Sequence, residues 1–207
     1  MKNILVIEVS PRGSESISRQ ISASILAKLK TKYPDAVVVT EDLALHPLPH
    51  LDQAFIAALS TPHDRRNDNH RATLAQSQLA VEHLKSAETI IISFPVFNFS
   101  IPSALKAWID HIVRPGLTFR PTPQGPEGLL KDKKVYLASA SGQIYLSPQN
   151  SPTDYAPIDF SISYLKYVLG YVGMTNVTVF RAEGVGRPQL KASSIETVMN
   201  TIETEFY

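Results

Sequence analysis

Residues 10–18 (SPRGSESIS) carry hydroxyls at Ser10, Ser14, Ser16 and Ser18, just where an apolar stripe of helical period begins. A helix start presents free backbone N–H groups and the positive end of the helix dipole, so hydroxyls crowded around it suit an anion such as a phosphate. One serine capping the helix, with the others solvated, is the plainer account of the same residues. Neither G-x-x-x-x-G-K-[ST] nor G-x-G-x-x-G is present, which makes a monophosphate the better match than a triphosphate or a dinucleotide pyrophosphate. A second segment, residues 95–99 (PVFNF), brackets Asn98 with Phe97 and Phe99. Aromatic rings pack planar ligands, and an amide both donates and accepts at a heterocycle edge. A turn that exploits the backbone tolerance of Asn, with both Phe side chains filling a core, explains the same pattern. The third segment, SASG at residues 139–142, is small and polar, so backbone N–H groups there can approach a ligand closely.

Composition removes several alternatives. With 20 Lys and Arg against 19 Asp and Glu among 207 residues, the net charge of +1 gives no electrostatic footprint for nucleic acid or an anionic membrane. No apolar run reaches the roughly 18 residues of a membrane span, and the N-terminus MKNILVIEVS lacks the pattern of a signal peptide, so a cytoplasmic protein is expected. The absence of Cys excludes a disulfide framework, a thiolate nucleophile and an iron–sulfur cluster, leaving any redox chemistry to a bound cofactor. His46, His50, His63 and His70 cluster in sequence, but HPLPH cannot be helical and no carboxylate set completes a metal site, so no metal is expected. Trp108 and His111 read as core packing or helix-end solvation. Without a G-x-S-x-G elbow, hydrolase chemistry has no support.

The elements that must position the three segments follow from apolar periodicity. Ile4, Leu5, Val6, Ile7 and Val9 form a nearly continuous run, as in a strand buried on both faces of a parallel sheet. Ile17, Ile21, Ile25 and Leu29 make a helix stripe through Tyr33. Strands are expected at residues 36–40, 89–94, 135–139 and 177–181, and helices at 73–85, 105–112, 155–169 and 190–204. Arg114 would fall in the last turn of the second of these helices. Residues 42–70, with a short helix at 52–59, and residues 117–132 read as excursions rich in turn residues. The alternation predicts one α/β domain over residues 1–207, a flavodoxin-like doubly wound parallel five-stranded sheet with helices on both sides and strand order 2-1-3-4-5. Ligands of such sheets sit beyond the carboxyl ends of the strands, where the first and third strands diverge, and the three segments meet there. Leu48, Leu51, Phe55 and Ile56 in the first excursion are expected to form an exposed apolar contact patch, and hence a homodimer interface.

At this point the chain resembles the FMN-dependent NADH-azoreductases, a branch of the flavodoxin-like quinone reductases, along nearly its whole length. The resemblance rests on the opening strand ending in Ser10, the Ser16-Ile17-Ser18 turn, PVFNFSIPSALKAWID, GLTFRPTPQGPEGL, SASG and VFRAEG. It implies bound FMN, contacted by Ser10; by Ser16, Ile17 and Ser18 at the phosphate; by Val96, Phe97, Asn98 and Phe99 at the ring; and by Ser139, Ala140, Ser141 and Gly142. Where the family often carries an Arg followed by two Gly in the third loop, this chain has Ala140, Ser141 and Gly142, a departure that bears on ring stacking, reduction potential or nucleotide preference. The resemblance further implies a homodimer with active sites at the subunit interface. It also implies NADH or NADPH as donor, quinones and azo compounds as acceptors, and a two-step exchange in which both use one pocket. The flavin carries the hydride chemistry, so no catalytic side chain is assigned.

Other functions remain on the same fold. A flavodoxin-type electron carrier is typically smaller and more acidic, and a reductase that supplies free reduced flavin would share the cofactor. A phosphoacceptor domain needs clustered acids after the first strand, where only Glu8 stands. A hydrolase and a scaffolding domain complete the set, the latter implying colourless protein.

Overall fold

The computed structural model describes residues 2–145 and 159–206. In chain order the elements are β1 (Asn3–Glu8), α1 (Ile17–Lys32), β2 (Val37–Asp42), α2 (Gln53–Ser60), α3 (Asp68–Ser86), β3 (Thr89–Pro95) and α4 (Ser103–Ile112), then β4 (Phe119–Thr122), β5 (Gly125–Gly128), β6 (Lys134–Ala140), α5 (Phe160–Tyr171), β7 (Asn176–Ala182) and α6 (Pro188–Glu205). Five strands pair in the order β2-β1-β3-β6-β7, all parallel. With the β4–β5 hairpin set aside, this is the expected 2-1-3-4-5 order.

The continuous apolar runs follow from burial on both faces. Successive residues of a strand point to opposite sides of the sheet, so Leu5 and Ile7 join a core with Ile90, Ile92, Trp108 and Leu165. Ile4 and Val6 join the other core, with Ile21 and Ile25 of α1 and Ile202 of α6. Trp108 is fully buried and its Nε1 donates to Glu41 Oε2 at 3.1 Å. His111 is also buried, and its Nε2 donates to the Pro49 carbonyl at 2.8 Å, tying the HPLPH segment to α4.

Several boundaries and placements differ from expectation. The α3 helix begins at Asp68, five residues earlier than its apolar stripe, because Asn67 caps it by accepting from His70 N at 2.9 Å. That polar first turn faces water and reads as loop. Arg114 lies beyond the C-cap of α4 rather than in its last turn, and it is buried. Residues 117–132 contain the antiparallel β4–β5 hairpin, crossed by an Arg120–Glu127 ion pair at 2.7 Å. The α5 helix starts at Phe160, capped by Asp159; residues 155–158 of the expected helix lie outside the described residues.

The expected apolar patch is only partly exposed. Phe55 is buried with Ala58 and Leu74 under α2, and Leu48 packs against the main core. Leu51 and Ile56 remain exposed, and Leu45, at 71% exposure, joins them. A short helix lying on α3 must turn one face inward, and Phe55 lies on that face.

Candidate active site at the carboxyl edge of the sheet

The loop after β1 is built to keep a helix start open. Gly13, at φ +53, allows the tight turn over Gly13–Glu15, after which the chain extends at Ser16 and enters α1. Ser16 Oγ accepts from Arg19 N at 3.4 Å, so this serine does cap the helix, and it also shares a hydrogen bond of 3.1 Å with Ser18 Oγ. Ser10, Ser16 and Ser18 are buried, whereas Ser14 is exposed and takes no part.

Beneath this loop the Arg19 guanidinium spans three groups. It donates to Asp42 Oδ2 and Oδ1 at 2.7 and 2.8 Å and to the Ser10 carbonyl at 2.8 and 3.1 Å, and its Nε lies 3.8 Å from Glu8 Oε2. Hydrogen bonding to Arg19 holds the Asp42 carboxyl below the usual range, while burial pushes Glu8 up against the opposing pull of Ser22, Ser93 and Arg19. The fork thus ties the end of β2 to the Ser10 carbonyl and fixes the loop's path. Truncating Arg19 to Ala leaves Asp42 and that carbonyl without their donor. It is expected to destabilise the fold by about 2–3 kcal/mol, as charge-assisted hydrogen bonds of this kind do. Urea titration reads the change, and a parent-like midpoint would show the fork to be dispensable.

The second loop is a two-residue turn. Phe97 and Ser100 exchange backbone hydrogen bonds of 3.0 Å in both directions, with Asn98 and Phe99 at φ +47 and +68. Two consecutive left-handed residues define a type I′ geometry. Asn tolerates that backbone, whereas at Phe99 the left-handed region costs about 1 kcal/mol or more. The structure therefore confirms the turn but not the core-filling Phe side chains, since Phe97 and Phe99 are 44% and 51% exposed. Val96 N donates to the Ala140 carbonyl at 2.8 Å, which joins this loop to the third. There Ser141 Oγ donates to the Gln143 carbonyl at 2.8 Å. Gly142 approaches Gly186 so closely that a Cβ on Gly186 would meet Gly142 Cα at 3.1 Å.

These loops enclose a cleft of about 180 Å³. Of the residues singled out from the sequence, Ser10, Ser16, Ile17, Ser18, Val96, Phe97, Ala140 and Gly142 line it. Asn98, Phe99, Ser139 and Ser141 belong to the same loops but stand outside its walls, and among the described residues the buried Ser139 hydroxyl has no partner. The loop after β7 was not anticipated: Val185 and Gly186 form a fourth wall, and Lys191, from the first turns of α6, joins Arg12 at the cleft, with Glu15 as the acidic group there. The turn residues Gly184 and Gly186 ahead of a helix start were the available signal.

The carboxyl edge of a five-stranded doubly wound sheet, an open helix start and a small cationic cleft agree with a family model. A model of the flavodoxin-like fold matches residues 2–205. The chain belongs to the flavodoxin-like family. Within it, an FMN-dependent NADH:quinone oxidoreductase of Herminiimonas arsenicoxydans is 43% identical over 185 residues, 89% of this chain and 88% of that protein. A protein of the same description from Beijerinckia indica is 40% identical over 195 residues, 94% of each chain. The crystal structure of an azoreductase from Bacillus anthracis matches this flavodoxin-like chain with a TM-score of 0.89 at 25% identity, covering 100% of this chain and 99% of that one. Among the described residues no group of His, Cys, Asp or Glu is arranged to hold a metal ion, and no helix is long and apolar enough to cross a membrane.

Proposed function

We propose that this protein is an FMN-dependent NADH:quinone oxidoreductase that also reduces azo compounds. The observation that carries the reading is the cleft itself. Buried Ser10, Ser16 and Ser18, the start of α1 and the cations Arg12 and Lys191 converge on one small volume at the point where β1 and β3 diverge. The first N–H groups of a helix have no intrahelical acceptor, and hydroxyls that can rotate to donate beside them suit a dianionic phosphate. The residues present therefore fit the phosphate end of FMN. The exposed rings of Phe97 and Phe99, held outward by the strained turn, offer flat apolar surface for the ring system and for planar acceptors.

Bound FMN supplies the hydride and electron chemistry. The chain's own residues hold and orient: Ser16 and Ser18 fix the phosphate, the Arg19 fork fixes the loop that carries Ser10, and the close contact of Gly142 with Gly186 leaves backbone rather than side chains at the far wall. NADH and acceptor would use the same surface in turn, so no side chain is required to move a proton between two simultaneous substrates. Purified protein should be yellow, and anaerobic NADH should bleach its visible absorption. Double-reciprocal plots against NADH at several quinone concentrations should then be parallel. Colourless protein that takes up no FMN would refute the function, and intersecting lines would refute the shared surface.

A cytoplasmic homodimer is part of the same proposal. Exposed Leu45, Leu51 and Ile56 on the first excursion, with Phe97 and Phe99, are apolar side chains that a second copy would cover. The expected mass at micromolar concentration is that of two chains, with at least about 1,200 Å² buried in total. A monomer by light scattering would overturn it.

A further inference from the structure

A second cavity, of about 710 Å³, opens between the turn that follows α2, the outer face of α3 and the loop after α4. It shares no lining residue with the flavin-site cleft. Arg114 forms part of its wall and is only 2% exposed. Its Nη1 donates to Ser77 Oγ at 2.5 Å, and the Ser77 hydroxyl hydrogen is already given to the His111 carbonyl at 2.6 Å. Among the described residues the buried Arg114 Nε has no partner. Among the described residues no carboxylate lies within ion-pair distance of this guanidinium.

A buried charge is ordinarily paired, because desolvation without a counter-charge costs several kcal/mol per ion. Arginine cannot escape by losing its proton. A neighbouring charge aggravates the problem: Arg66, also on the wall, repels Arg114, its Nε and Nη2 donate to the Thr61 and Leu59 carbonyls at 3.0 and 3.3 Å, and among the described residues it too has no carboxylate within ion-pair distance. Arg71 is compensated by Asp68 at 3.1 Å. Glu82 stands on the same wall, where it accepts from Gln78 Nε2 at 2.9 Å. Two arginines with no carboxylate partner among the described residues therefore line a cavity whose remaining surface includes Leu59, Leu74, Leu79, His63 and Glu82.

We propose that this cavity binds an organic carboxylate, its oxygens toward Arg66 and Arg114 and its apolar body against the leucines. A planar carboxylate matches the guanidinium fork, the leucine walls disfavour a strongly hydrated dianion such as free phosphate, and the volume is that of a small-molecule site. The test uses the FMN-loaded protein and calorimetric titration of 2-naphthoate beside its neutral isostere 2-naphthamide. The parent should bind the carboxylate at least about tenfold more tightly than the amide. Arg66→Gln, a half-buried side chain at the rim, should weaken 2-naphthoate by roughly tenfold and leave 2-naphthamide unchanged, whereas Arg114→Met should abolish the preference if that variant folds. Equal affinities, absence of binding at millimolar ligand, or a preference that survives Arg66→Gln would each overturn the site. The last result would place the naphthoate against the flavin instead, and would leave the proposed function intact.

Discussion

Ser16→Ala and Ser18→Ala together should weaken FMN binding by about 3 kcal/mol, the low end of the 3–6 kcal/mol that two hydrogen bonds to a charged phosphate can contribute. The structure gives the reason for the low end. Arg12 and Lys191 line the same cleft and keep part of the attraction, and the two hydroxyls satisfy one another at 3.1 Å when they face no ligand. A loss of that size raises the dissociation constant by roughly two orders of magnitude. Riboflavin, which lacks the phosphate, should bind the parent poorly and be almost unaffected by the double change. The cap that Ser16 provides through Arg19 N should separately cost about 1 kcal/mol of stability, so thermal unfolding without added flavin must accompany the titration. If riboflavin and FMN lose affinity equally, the serines shape the loop rather than grip the phosphate.

The second large effect is structural and lies away from the cleft. A Cβ added to Gly128, at the end of β5, would sit 2.1 Å from Gly173 N and 2.3 Å from the Val172 carbonyl carbon. Both obstacles are backbone, and the approach is stitched by Leu130 N donating to the Val172 carbonyl at 2.8 Å. Neither side can yield without separating the hairpin from the end of α5. Gly128→Ala should therefore destabilise the protein by about 3 kcal/mol or more, lowering the melting temperature by roughly 6–12 °C in a chain of this size. Gly170→Ala is the matched control: nothing lies within 4 Å of its added Cβ, and the residue sits inside α5. That change should stabilise by about 0.5–1 kcal/mol. A Gly128→Ala protein that melts with the parent would mean the hairpin is not held against α5 by this contact.

The hairpin shows why some of the fold is not legible in sequence. Each of its strands has four residues, and Pro121, Gly125 and Pro126 lie within them. Short strands with proline and glycine carry no period-2 apolar pattern, and their pairing is imposed by the contact with α5. The start of α3 escaped detection for a related reason: a first turn facing water has capping chemistry at Asn67 but no apolar period. Phe55 is buried rather than exposed because the apolar stripe of a short helix does not say which side another helix will cover.

What the sequence determined alone was the class of fold and which loops meet at the carboxyl edge of the sheet. Runs such as Ile4–Ile7 are apolar at every position because a central parallel strand is buried on both faces, and five strand segments alternating with helical stripes leave few arrangements of the sheet. The loops at the carboxyl ends then follow from topology, and eight residues singled out within them do line one cleft. Tertiary structure alone decided which cations face ligand space. Lys191 reaches a cleft whose first wall is Ser10 because α6 packs beside α1, with Lys28 of one helix paired to Glu203 of the other. Arg114 is buried with no counter-ion among the described residues because the chain after α4 folds back under α3. Periodicity records which face of an element is apolar; it holds no information about which distant element will meet that face, and the electrostatics of a site depend on that meeting.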